Sequence, residues 1–121
     1  MNNIINMLWL YPDLLNLHGD RGNIMAFERV AKMMELKINV KKVINLTDDF
    51  DLNDIDIIFI NPGELGVILN VINAMKKRKK EICKYIEDSY LIVIGTSGAI
   101  LSKKIYTLEG KVYRGLELID M

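Results

Sequence analysis

Leu10 to Asn23, L-Y-P-D-L-L-N-L-H-G-D-R-G-N, joins a hydrophobic strand candidate to a helix candidate. Between the two lie a Pro12-Asp13 pair, Gly19 and Gly22, and a charged Asp20-Arg21 step. Loops with this much backbone punctuation at a strand-to-helix junction are where α/β proteins place ligands. Upstream, Ile4 to Leu10 reads as a buried strand. Downstream, Asn23 to Leu36 carries Ile24, Phe27, Val30, Ala31 and Met34 at helical spacing, which predicts a helix with those residues inward.

The same alternation continues along the chain. Ile38 to Ile44 alternates apolar and polar residues, as a strand with one covered face does. Thr47 to Asp54 is acidic and polar and reads as a loop. Ile55 to Ile60 is a short β-branched strand stopped by Asn61-Pro62-Gly63. Val67 to Ile86 reads as one long helix with Val71, Ile72, Met75, Ile82, Tyr85 and Ile86 inward. Tyr90 to Ile94 is a further apolar strand, cut by Gly95-Thr96-Ser97-Gly98. Ala99 to Lys103 begins a short helix. Ile105 to Thr107 and Lys111 to Tyr113 flank Leu108-Glu109-Gly110 as a hairpin, and Arg114 to Met121 forms an apolar tail.

Strands alternating with helices predict an α/β fold: a flavodoxin-like parallel sheet with helices on both faces. Ligands in such sheets sit beyond the carboxyl ends of the strands. Three glycine-bearing loops, Tyr11 to Gly22, Asn61 to Leu65 and Gly95 to Gly98, then share one sheet edge.

A chain of 121 residues, half of them hydrophobic, is expected to form a single domain over residues 1–121. Sixteen basic and sixteen acidic side chains cancel, so no global field favours nucleic acid. Apolar runs stop at about ten residues, too short to span a bilayer. The first ten residues lack the features of a signal peptide. One cysteine, Cys83, excludes an internal disulfide. The expected location is the cytoplasm. One His and one Cys cannot make a zinc set, and no metal or cofactor is expected.

The Leu10–Asn23 run closely resembles the first loop of one family, the glutamine amidotransferase subunit of lipid II isoglutaminyl synthase. That family belongs to the cobyric acid synthase-like branch of class I glutamine amidotransferases. Asp13, Asn16, Gly19, Asp20, Arg21 and Asn23 form the signature loop. Three further landmarks fall in register. Asn61-Pro62-Gly63-Glu64-Leu65 stands where the family shows G-G-G-Q-D, the loop whose backbone N–H groups hold an oxyanion. Gly95-Thr96-Ser97-Gly98-Ala99 stands where it has C-G-G-Y-Q. Gly110 and Gly115 to Asp120 match a D-G turn followed by G-L-G-L-L-D. The resemblance implies a truncated class I amidotransferase domain, its N-terminal half. It also implies glutamine hydrolysis through a cysteine thioester, with ammonia passed to a Mur-ligase-like partner that amidates the D-glutamate of lipid II.

The departures from that pattern bear on the chemistry. The nucleophile position holds Gly95, which has no side chain. Family members run to about twice this length, and their catalytic histidine lies in the half without a counterpart here. The sole histidine, His18, stands in the first loop where the family has tyrosine. Of the oxyanion loop, Gly63 and Glu64 remain as the ligand-loop candidates, and Pro62 has no N–H to donate. The reading that follows is a glutamine amidotransferase-like protein without catalysis. Two alternatives stand beside it: a glutaminase whose catalytic groups are completed in trans, and a Ser97 hydrolase.

Each singled-out residue also has a plainer role. Gly95 to Ala99 fits G-x-S-x-[small], the hydrolase elbow, but the five-residue pattern is weak and a glycine-rich turn with a capping Ser97 explains it without catalysis. Asp20 or Asn23 caps a helix as readily as it contacts a ligand. Cys83 reads as a structural thiol in a helix. Lys76-Lys77-Arg78-Lys79-Lys80 reads as a solvated helix face. Trp9 reads as core. A half domain leaves apolar surface where further strands dock, so self-association or a Mur-ligase-like partner is expected to cover it.

Overall fold

Strand β1, Ile4–Leu10, lies inside the sheet and alternates between two hydrophobic clusters. Leu8 and Leu10 point to one face, Met7 and Trp9 to the other, and all four are buried. A strand with both faces covered needs no polar residues, which is why Met7 to Leu10 reads as an unbroken apolar run. The computed structural model describes residues 4–16 and 22–119.

Helix α1, Gly22–Met33, follows the first loop, and β2, Lys37–Val43, pairs with β1 in parallel from Ile4↔Lys37 to Leu10↔Val43. Strand β3, Ile57–Ile60, takes the other side of β1, and β4, Tyr90–Val93, pairs with β3. The order β2-β1-β3-β4 is parallel throughout. Between β3 and β4 come α2, Leu65–Lys76, and α3, Lys79–Asp88. A 3-10 helix, Gly95–Leu101, leaves β4, and the hairpin β5, Ile105–Tyr106, with β6, Val112–Tyr113, stands apart as a second sheet. The α/β parallel sheet and the hairpin are as the sequence predicts.

The two faces are covered by different helices. Ile68, Val71, Ile72 and Met75 of α2 and Ile82 of α3 pack with Leu8, Leu10, Ile58 and Ile60 in the larger cluster. Helix α1 covers the other face, where Ile24 meets Met7, Trp9 and Phe59. The Phe27 ring stands edge-on to Phe59 at 5.7 Å.

Several elements differ from their sequence reading. The long helix predicted over Val67 to Ile86 is two helices, broken at Lys77 and Arg78. Arg78 lies over the Phe50 ring at 3.8 Å, donates to Asp49 Oδ1 at 3.1 Å, and pairs with Glu81. The five cations therefore sit at a helix junction rather than winding round one helix. In α1, Ile24 and Ala31 are buried, but Val30 is 54% exposed and Met34, beyond the helix end, 64%. Glu35 adopts a left-handed backbone there, and Leu36 N–H closes on Ala31 O at 2.7 Å. The third strand starts at Ile57 rather than Ile55, after a turn with Asp54 at φ 62. Asp56 ties that turn to β1 through Asn6 N–H, 2.8 Å from Oδ2. The helical turn placed at Ala99 begins at Gly95. Trp9 is core, 4% exposed.

Candidate functional site

Three strand ends meet at the carboxyl edge of the sheet. After β1, Tyr11 turns the chain with φ 54, and its carbonyl accepts the N–H groups of Leu14 and Leu15. Tyr11 and Leu15 are buried, whereas Asp13 and Asn16 face solvent. Burial pushes the Tyr11 phenol above its ordinary range, against a lowering pull from Arg78. His18, Gly19, Asp20 and Arg21 lie outside the described residues.

The second loop packs onto the first. A Cβ built on Gly63 would stand 2.5 Å from Leu15 Cδ2 and 3.4 Å from Leu15 Cα. Only a residue without a side chain lets the two loops approach this closely. Asn23, at the start of α1, donates through Nδ2 to Asn61 Oδ1 at 3.3 Å. The first and second loops are thus joined by a side-chain contact. Asn61 is 1% exposed. Glu64 is exposed and precedes α2 in extended backbone, its carbonyl accepting Ile68 N–H at 2.9 Å.

The third loop is an elbow with Gly95 at its apex. Gly95 has φ 58, a left-handed backbone, and opens the 3-10 helix one residue after β4, Ile94 being the residue between. Gly95 is exposed, and a Cβ there would lie 3.4 Å from Pro62 Cβ, in ordinary contact with the second loop. Thr96 then bridges the loops twice. Its Oγ1 accepts Gly63 N–H at 3.2 Å and donates to Gly63 O at 2.8 Å. The Gly63 N–H is thereby engaged. No feature of the sequence marked Thr96, because a tying threonine is recognisable only by the carbonyl it meets.

Ser97 lies inside. It is fully buried, and its hydroxyl donates to Asn61 O at 2.6 Å. A hydrolase elbow needs its serine at the strained apex, open to substrate. Here the apex is Gly95 and Ser97 stands two residues on, tying two loops together. Cys83 is half-buried on α3. Among the described residues no group of three or more His, Cys, Asp and Glu is placed to hold a metal ion, and no helix is long and apolar enough to cross a membrane.

This parallel sheet, with an elbow after its edge strand and glycine-bearing loops on one edge, has the class I glutamine amidotransferase-like fold. A crystal structure of a Listeria monocytogenes EGD-e protein described as a peptidase E superposes with a TM-score of 0.62. That match has 15% identity and covers 96% of this chain and 63% of the other. The nearer kinship is to curated proteins. The chain is 30% identical over 113 residues to subunit GatD of the glutamine-hydrolysing lipid II isoglutaminyl synthase of Streptococcus pneumoniae (strain ATCC BAA-255 / R6). It is 34% identical over 110 residues to the subunit of the same name from Staphylococcus aureus (strain N315). These matches take in 93% and 89% of this chain but 43% and 44% of the relatives. The chain thus resembles those subunits along most of its own length while spanning less than half of theirs. No protein-family model matches it.

Proposed function

We propose that this chain is a non-catalytic glutamine amidotransferase-like protein acting in the amidation of lipid II. The observation that carries the reading is the elbow apex. The residue aligned with the family's nucleophile is Gly95, held at φ 58 with Pro62 against it and no side chain to attack an amide. Two neighbouring features support it. Pro62 lacks an N–H, and Gly63 N–H is bonded to Thr96. Of the backbone donors the loop could offer an oxyanion, one is thus missing and one is in use.

On this reading the joined loops serve recognition. Asp13 and Asn16 are exposed beside them. With Asn23 they contribute to the contact surface for a Mur-ligase-like partner in the cytoplasm. Kinship to proteins named as subunits supports a partner. The test is glutamate release from glutamine, measured for the purified chain alone and with a Mur-ligase-like protein from the same source. Release at the level of the protein-free blank in both is expected. Release above it that disappears in Ser97→Ala or Cys83→Ala would falsify the reading and identify the replacement nucleophile.

A further inference from the structure

The hairpin β5–β6 is a finger with two unlike faces. Ile105 packs against the larger core cluster, and Tyr113, its cross-strand partner, is half-buried with it. Tyr106 and Val112 form the next cross-strand pair, and both are exposed. By the two-residue period of a strand, Lys104 shares the outer face with Tyr106, and Arg114 shares it with Val112. Both cations are exposed. Thr107 closes the turn: its N–H donates to Lys111 O at 3.0 Å, and its Oγ1 accepts Lys111 N–H at 3.1 Å. Leu108 heads that turn and is fully exposed. From base to tip the outer face therefore runs from cations, through Tyr106 and Val112, to a leucine.

The base of the finger joins a second basic surface. Arg114 and Lys79 approach the two carboxylate oxygens of Glu117, at 3.7 Å and 3.9 Å. Lys79 opens α3 at the junction with α2. There Lys76, Lys77 and Lys80 are exposed and make no ion pair among the described residues. Arg78 is not part of this surface, since its guanidinium is directed to Asp49 and Glu81. Glu117 is shared by two cations, and Glu109 is the one acid between Lys103 and Arg114. The chain is neutral overall, but this side of it is positive.

We propose that the outer face of the hairpin and the α2–α3 junction seat the chain on an anionic lipid surface. Side chains on one face of a strand stand about 7 Å apart along it. The headgroup zone of one bilayer leaflet is about as thick, roughly 5–7 Å. With Lys104 and Arg114 level with the phosphates, Tyr106 lies among the headgroups, where amphipathic rings are favoured. Leu108 then reaches the acyl boundary. One shallow apolar insertion anchors weakly, and Lys76, Lys77 and Lys80 supply the electrostatic attraction that completes it. Nucleic acid offers no apolar layer to Leu108 and Val112. An acidic protein would need a pocket shaped to the finger, whereas a bilayer yields to it. Neither surface includes Gly95 or the loops around it, so this contact is independent of whether glutamine is hydrolysed.

The purified chain is sedimented with vesicles of phosphatidylcholine alone and of an equal mixture with phosphatidylglycerol. Poly(glutamic acid) is added as a soluble polyanion without an apolar layer. Binding to the mixed vesicles only is expected, weakened by about tenfold or more between ~0.1 M and ~1 M salt. Leu108→Asp is expected to weaken it by about tenfold or more. Lys76→Glu, Lys77→Glu and Lys80→Glu together are expected to weaken it by about a hundredfold. All four positions are exposed, and an unchanged circular dichroism spectrum checks that the variants fold. In Leu108→Trp, tryptophan emission is expected to move to the blue on the mixed vesicles alone. Met33→Asp and Lys32→Glu, at an exposed apolar residue and an exposed cation of α1, are the controls and leave binding unchanged. No binding to the mixed vesicles, equal binding to phosphatidylcholine alone, or binding indifferent to Leu108→Asp overturns the proposal. So does release of the chain from the vesicles by poly(glutamic acid) at matched charge, which would mark the surface as a site for an acidic protein.

Discussion

Two glycines decide the geometry of the site. Gly63 lets the second loop lie against Leu15, whose Cδ2 would be 2.5 Å from an added methyl. Leu15 is fully buried, so it has little room to turn away. Gly63→Ala is expected to destabilise the chain by about 1–3 kcal/mol through overpacking, read as a lower urea midpoint with an unchanged slope. Gly95 is glycine for another reason, since φ 58 costs an L-residue about 1–2 kcal/mol. Gly95→Cys places the family's thiol at the apex but also against Pro62, with Gly63 N–H still bonded to Thr96. It is expected to lower stability by about 1 kcal/mol and to leave glutamate release at the blank. Release restored by that single change would show that the apex thiol was the one missing part.

At the scale of elements, the break between α2 and α3 is the feature most dependent on distant residues. Met75 and Ile82 are both buried and seven positions apart, a spacing that continuous helix satisfies. Nothing local demands an interruption. Arg78 makes its contacts with Phe50 and Asp49, which lie in the loop after β2. Asp49 is 95% exposed, so its ion pair contributes little. The stacked guanidinium contributes more. A double-mutant cycle of Arg78→Ala and Phe50→Ala is expected to give a coupling of about 0.5–1 kcal/mol. A coupling near zero would leave the junction explained by backbone alone. The signature loop shows the opposite case. Its strand, its turn and its helix were legible in Leu10 to Asn23 because each depends on neighbours in the chain. The bond from Asn23 to Asn61 was not, because the two are joined only by folding.

For the whole molecule, β1 and β4 represent opposite conditions. Strand β1 has a partner on each side, and its Met7 and Leu10 are fully buried. Strand β4 has one partner and a half-covered face. In the free chain the amides of β1 are expected to exchange slowest among the sheet strands and those of the two edge strands, β2 and β4, fastest, by hydrogen exchange. Equal protection would mean that β4 is already covered in solution, by a second copy or otherwise. The amino-acid sequence by itself determined the alternation of strands and helices, the hairpin, the three loops on one edge and the glycine that opens the third of them. These follow from periodicity, turn chemistry and the side chains present, all local quantities. Only the tertiary structure decided that Thr96 occupies Gly63, that Ser97 is buried under Asn61, that the second helical run breaks at Arg78, and that β4 is left open. Each of those depends on which carbonyl, ring or strand a residue meets across the fold, and no local pattern encodes that meeting.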